Sequence, residues 1–448
     1  MDRAKSAPLT MFSPPDLRRL IIPLIIEQAL SLSVGMFDAI MVSSAGNAAI
    51  GGVSLIDQIS ILLINLFAAL ATGGAIVAGQ YLGAKEKDGA ANAGRHLMIV
   101  VFALSVVITG ACLLLNSQII SVFGKLEKPV TDSAQVYFYI TTCSFPFIAM
   151  FNASAALFRC MGNSKITMIN AGIMNLVNLT GNSIFIYGFK WGAFGAGLAT
   201  LIARTAAAVI MVILLRNPNR LISVRSYSLR GFDFNVVKRI LQIGIPSGFE
   251  NSFFQLGRIL LTGLAASFGT AAMAANGVAN GLAGMEVIPG SAIGLALTTI
   301  VSRCIGAGER EQAARYTKKL LKYAYIFHAG LNILLILLLP AILSLYGLPE
   351  ETTNIAYACA LAHGIGAMIL WPLSFVLPNC FRAASDVRFP MSVSIFSMLV
   401  FRIGAAYLLA ATTNLGALCV WLAMQIDWIF RSIMFIIRFL NGKWKNKV

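Results

Sequence analysis

Glu27 and Asp38 stand inside one apolar run, Leu17–Ser44, four and fifteen residues after Pro23. A carboxylate at membrane depth costs about 2.5–3.5 kcal/mol on insertion scales, so it needs a partner or a task. The two acids are 11 residues apart. That is close to three helical turns, so both project from one face, roughly 16 Å apart along the axis. Further acids interrupt apolar stretches at Asp57, Glu250, Glu286 and Asp427, against four internal arginines, Arg204, Arg258, Arg402 and Arg431. Groups of this kind can exchange protons, hold hard cations, or pair with a cationic ligand. No Walker motif, HExxH, nucleophile elbow or metal-ligand cluster is present, so neither ATP hydrolysis nor an enzyme is expected, and no resident cofactor.

The elements that position these acids are helices. The chain has 448 residues, 58% of them hydrophobic and only 12% charged, with mean hydropathy +0.80. A soluble domain carries about 25% charged residues. The net charge of +16 does not point to nucleic acid, because the basic residues punctuate apolar spans instead of forming a stripe. Met1–Pro15 is polar and lacks the apolar core of a signal peptide, so the first span is expected to stay in the mature protein. The seven cysteines form no CxxC pair and mostly fall inside apolar spans, as small core residues do.

Apolar spans lie at about 17–44, 53–81, 91–115, 131–157, 165–187, 192–215, 236–267, 273–302, 320–346, 353–380, 389–411 and 414–440. The expected fold is therefore an all-α membrane protein with twelve transmembrane helices. Basic residues gather in the N-terminal tail, in every second gap and in the C-terminal tail. They include Arg3, Lys5, Lys85, Lys87, Arg159, Arg216, Arg220, Arg230, Arg310 and Arg388. The alternate gaps hold only Lys125, Lys128 and Lys190. The positive-inside rule then places both termini in the cytoplasm of a multi-pass cell-membrane protein.

The chain also repeats itself. Pro23 and Glu27 meet Pro246 and Glu250 at an offset of 223 residues. The same offset relates Gly46 to Gly269, Gly83-Ala84 to Gly306-Ala307, and Phe158-Arg159 to Phe381-Arg382. Two pseudo-symmetric six-helix lobes in parallel orientation follow, at 1–215 and 236–448, with a basic cytoplasmic linker at 216–235. Such repeats suit alternating access around a site between or within the lobes.

Specific motifs now add to this pattern. Phe37-Asp38-Ala39-Ile40-Met41-Val42 with Gly46 ends span one, and Gln80-Tyr81-Leu82-Gly83-Ala84 follows span two. Phe158-Arg159-Cys160-Met161-Gly162-Asn163 and Phe381-Arg382-Ala383-Ala384-Ser385-Asp386 follow spans four and ten. Asn178-Leu179-Thr180-Gly181-Asn182 lies in span five. Over essentially its whole length the chain resembles the multidrug and toxic compound extrusion (MATE) family. The resemblance implies secondary-active export of organic cations and amphiphiles, driven by Na+ or H+. It further implies a coupling-cation site in the N-terminal lobe at Asp38, Asn178, Asn182 and Thr200. Some members carry Asp where Asn182 stands. Here Asp38 alone would be anionic, which suits Na+ held by one carboxylate and neutral oxygens, or a single protonatable acid.

Glu27 and Glu250 each follow a proline by one turn, and are read either as structural residues near the cytoplasmic ends of spans one and seven or as gating groups. Glu286, in span eight before Pro289, is expected to pair with Arg258, the alternative being a cationic substrate. Asp427 and Arg431 are four apart in span twelve and should neutralise each other. His363 reads as a satisfied core histidine, Asp57 as an acid tolerated near the outer start of span two, and Arg402 has no assigned partner. Since the internal acids outnumber the internal arginines, the expected cargo is an organic cation or amphiphilic drug, handled by a monomer in the bilayer. The rival reading is a lipid-linked oligosaccharide flippase of the related polysaccharide-export type, which predicts a strongly cationic lumen. A channel predicts filter repeats, and none are seen.

Overall fold

The computed structural model describes residues 11–124, 127–228 and 231–447. Arg3, Lys5, Lys125 and Arg230 of the loop-charge pattern lie outside the described residues. The first half folds into α1 (Pro14–Ser43), α2 (Asn47–Gly83), α3 (Lys87–Leu114), α4 (Asn116–Ser121), α5 (Lys128–Cys143), α6 (Phe145–Cys160), α7 (Ser164–Asn182) and α8 (Gly192–Leu215). The second half folds into α9 (Phe234–Ala266), α10 (Thr270–Glu286), α11 (Ile288–Gly306), α12 (Arg310–Ser344), α13 (Glu350–Trp371), α14 (Pro378–Ala383), α15 (Arg388–Ser397), α16 (Ala405–Thr412) and α17 (Leu418–Leu440). No strand occurs among the described residues.

These helices make twelve crossings. Several are broken: α5 and α6 form one bent by 45°, and α10–α11, α13–α14 and α15–α16 form three more. Among the described residues nine helices are long and apolar enough to span alone, or ten units with the bent pair. The two crossings that miss this test are the polar ones. α7 carries Asn170, Asn175, Asn178 and Asn182, and α9 carries Pro246, Glu250 and Arg258. Polarity at membrane depth marks helices that face a neighbour or a cavity.

The 223-residue repeat is visible in backbone geometry. Left-handed residues recur in register at Gly46 and Gly269, Lys85 and Gly308, and Gly162 and Ser385. Each ends one helix and turns the chain into the next. That Lys85 and Ser385 accept a conformation natural to glycine shows that the turn, and not the residue, is repeated.

The repeat also governs how the halves meet. A Cβ on Gly83 would lie 2.0 Å from the Arg303 carbonyl oxygen, and one on Gly306 would lie 1.9 Å from that of Gln80. These four residues are exchanged by the same offset, so α2 and α11 cross on the pseudo-two-fold axis with their backbones in contact. Around this crossing Gln80 Nε2 donates to the Ala383 carbonyl at 3.1 Å, and Arg239 donates to Gln80 Oε1 at 3.0 Å. Phe12 N donates to the Tyr316 hydroxyl at 2.8 Å. All of these contacts lie in the half of the bundle that bears the basic loops.

The first helix of each half is shared. Leu17, Leu20, Ile21 and Leu24 of α1 are buried in the apolar cluster of the second half. Val236, Ile240 and Ile243 of α9 are buried in that of the first. One turn further, past Pro23 and Pro246, each helix returns to its own half through an ion pair. Arg159 donates to Glu27 Oε1 at 2.7 Å, and Arg382 donates to both oxygens of Glu250 at 2.8 Å. Thr167 adds a hydrogen bond to Glu27. Proline removes one helical hydrogen bond and allows a bend there, so the change of allegiance falls where the helix is weakest. The linker lies against the first half, with Ile222 and Val224 buried and Asp233 N bonded to His96 Nε2 at 2.8 Å.

Two predictions follow from this packing. Gly83→Val must separate α2 from α11, so peptide-resolved thiol labelling should find Cys160 and Cys304 modified faster than in the wild type, where they are 2% and 0% exposed. Unchanged labelling would contradict the backbone crossing. Arg159→Gln leaves Glu27 buried without its cation and should cost on the order of 3–5 kcal/mol. Adding Glu27→Gln should recover most of the lost thermal stability; a single variant as stable as wild type would show that the pair holds nothing.

Candidate functional site

Asp38 lies in the last turns of α1, beyond the point where that helix rejoins the first half. Its Oδ1 accepts from Asn182 Nδ2 at 2.5 Å. The same Nδ2 reaches Asn178 Oδ1 at 3.3 Å, and Asn178 Nδ2 reaches Thr200 Oγ1 at 3.4 Å. The structure thus brings together all four residues singled out from the sequence, from α1, α7 and α8. Asn178 and Asn182 share a helix face because they are one turn apart. Asn182 is 1% exposed and its Oδ1 has no hydrogen-bond partner among the described residues. Directly after Asn182 the helix widens into a π-turn, Ser183–Gly188. Such turns are rare and often sit at functional sites.

The set is one carboxylate and three neutral side chains, with one buried acceptor unspent. Applied to these residues, the 223-residue offset lands on Leu261, Phe401, Ala405 and Ala423. In the second half Leu261 and Ala423 belong to an apolar cluster, with Ala405 packed against it. The polar set therefore has no counterpart across the pseudo-symmetry, which separates it from features the fold alone repeats.

Asp57 accepts from the Tyr137 hydroxyl at 3.0 Å. Arg204 donates to Ser144 at 2.8 Å and is close enough to Asp38 and Asp57 to interact with both charges. Helix-end position alone does not account for Asp57: it has a phenol partner, which the sequence did not indicate.

The remaining acids have partners that differ in part from expectation. Glu27 and Glu250 hold the arginines of the two repeated Phe-Arg motifs, and the 223-residue offset could have found both pairs. Glu286 does not pair with Arg258. It closes α10 at the break before α11, and His363 of α13 bonds to its carboxylate. The break aims Glu286 at α13, while Arg258 faces a cavity beside α9. Asp427 and Arg431 do not neutralise each other either. Asp427 accepts from Ser397 at 2.5 Å and meets Arg402 at 3.6 Å, which gives Arg402 its partner. Arg431 donates to the Ser374 carbonyl at 3.0 Å and lies 4.3 Å over the Phe375 ring. A planar guanidinium on an aromatic face is an alternative to a carboxylate, and helical spacing cannot distinguish them. His363 is buried and partnered, but by a carboxylate. The acid surplus behind the expectation of a cationic cargo is thus largely taken up by internal pairs.

Comparison with known proteins bears on this arrangement. The MatE family model matches the chain twice, over residues 23–184 and 246–408. The two matches begin at the repeated prolines. Among similar proteins, an uncharacterized transporter, YisQ, of Bacillus subtilis (strain 168) is 24% identical over 95% of this chain and 94% of its own length. A probable multidrug resistance protein, NorM, of Thermotoga maritima is 23% identical over 96% of this chain and 93% of its own. A solved outward-facing conformation of a multidrug resistance MATE family transporter of the MOP superfamily superposes with TM-score 0.87 at 21% identity, covering 96% of each chain. The twelve crossings in two lobes are the architecture of these structural neighbours. With its two matched repeats, this chain belongs to the MatE family of multidrug transporters.

Proposed function

We propose that the chain is a secondary-active exporter that expels small amphiphiles in exchange for Na+ or H+ taken up at Asp38. It would act as a monomer in the cell membrane, with both termini and the linker in the cytoplasm and 1–215 and 236–448 as the moving lobes. The observation that carries the reading is the Asp38–Asn182–Asn178–Thr200 chain with Asn182 Oδ1 unspent. In the arrangement described, Asn182 turns its donor side to Asp38. Rotation of the amide would present Oδ1 beside the carboxylate, and a hard cation takes oxygen ligands of this kind. Protonation of Asp38 would relieve the same charge without that rotation. A coupling ion can bias two lobe states only if its affinity differs between them. The adjoining π-turn gives α7 a place to adjust the asparagines as the lobes move.

The contact between α2 and α11 supports a state closed at the basic end. Export then needs a second state with that end open, and shared α1 and α9 connect the coupling site to the crossing. The polysaccharide-export reading gains no support from the relatives that carry a functional name, which are named probable multidrug resistance proteins.

The test uses vesicles with Na+ and H+ gradients imposed separately, and a fluorescent amphiphile that the wild type exports. Asp38→Asn keeps the size and removes the charge, and should lower gradient-driven efflux by at least about tenfold with insertion unchanged. Asn178→Ala should weaken apparent cation affinity more than it lowers maximal rate. Wild-type efflux by Asp38→Asn under both gradients would exclude this coupling site.

A further inference from the structure

The second half contains a cavity of about 230 Å³ between α9, α10, α13, α17 and the π-turns Pro372–Val376 and Met398–Gly404. Its wall is aromatic: Trp371, Trp421, Trp428, Phe254 and Phe375 line it. The rings are fixed by each other. Phe375 stacks on Trp371 at 5.0 Å and meets Trp428 edge-on at 5.9 Å, and His363 is edge-on to Trp428 at 5.3 Å.

An aromatic cage by itself often signals a cation. The charges here point the other way. Arg258 and Arg402 both line the cavity, and among the described residues none of the lining side chains is Asp or Glu. Glu286 is 3% exposed behind His363, and Asp427 is 0% exposed behind Arg402. Arg402 is 7% exposed, its Nε has no partner, and its contact with Asp427 at 3.6 Å is too long for a strong hydrogen bond. The Arg258 guanidinium has neither a hydrogen bond nor an ion pair among the described residues; only its backbone carbonyl accepts, from Thr262. It also borders an adjoining cavity with Arg382 and Arg431, where the one acid, Glu250, already has both oxygens on Arg382. A cation entering here would meet two guanidiniums and no counter-charge.

We propose that this cavity is a binding site for an aromatic monoanion, an aryl sulfonate or aryl carboxylate. Its rings stack in the tryptophan wall and its oxyanion is held by Arg258 and Arg402. Guanidinium donors match the two-oxygen edge of either group. The volume is below the roughly 300–1,000 Å³ of drug-sized sites, so it takes one or two fused rings. The proposal rests on the export reading only for what the bound molecule is for.

The test is binding to the full chain in phosphatidylcholine nanodiscs with no gradient, so that efflux failing with binding intact overturns only the export reading. Three of the five tryptophans line the cavity, so intrinsic fluorescence reports occupancy. Naphthalene-1-sulfonate should quench it saturably, whereas 1-naphthylmethylammonium, with the same rings and the opposite charge, should need at least about tenfold more. Arg258→Gln should weaken sulfonate binding about tenfold at unchanged melting temperature, and Arg258→Lys should weaken it less. Equal or tighter binding of the ammonium probe to the wild type would overturn the proposal, and that comparison needs no variant. So would wild-type sulfonate affinity in Arg258→Gln.

Discussion

Charge in the membrane has to be balanced, and this constraint organises the structure. Glu27 and Glu250 are balanced by Arg159 and Arg382, Asp427 meets Arg402, and Glu286 has a hydrogen bond with His363. In the first half Asp38 and Asp57 have no ion pair among the described residues: Asp38 accepts from Asn182 and Asp57 from Tyr137. Asp38 sits where neutral amides and a hydroxyl converge, the kind of oxygen donors that a hard cation takes. In the second half the groups without an acid partner among the described residues are cationic, with the Arg258 guanidinium unpaired and Arg431 stacked on rings. The fold repeats its backbone at 223 residues but not its charge.

The ion pairs also place the moving parts. α1 and α9 each begin in the apolar cluster of the opposite half, and the glutamate one turn past the proline pairs with an arginine of the helix's own half. A helix committed to both halves cannot stay straight when they separate. Its two segments must hinge, slide, or release one set of contacts. Asp38 lies on the later segment of α1 and Leu17–Leu24 on the earlier one, so in the proposed cycle one helix would connect the charge at Asp38 to closure at the basic end. Glu27, between them, is better described as the anchor of this hinge than as a free gate.

Much of this was legible in the chain. Pro23 and Pro246 with their glutamates revealed the repeat, and the spacing of Asn178 and Asn182 placed two amides on one face. The convergence with Asp38 and Thr200 came from the family motif, since no local pattern links residues on three separate helices. Pairs across helices were harder. Arg159 and Arg382 were recoverable in principle, because a buried Glu repeated at 223 residues calls for a cation repeated at 223. His363 was not, because the break after Glu286 decides where that carboxylate points. Arg431 was misread for a similar reason: four-residue spacing shows that two side chains can meet, but not that an aromatic ring has taken one of them first. The surplus of acids pointed to cations only while their partners were unknown.

The central claim is that Asp38 takes up the ion that drives the cycle. The most direct measurement is cation uptake by the purified protein in nanodiscs, as bound radioactive Na+ and as protons exchanged on adding Na+ in weak buffer. The account predicts saturable uptake or exchange at one site in the wild type and its loss in Asp38→Asn, with Glu286→Gln retaining it. Unchanged stoichiometry in Asp38→Asn would contradict the account and move the coupling site elsewhere in the chain.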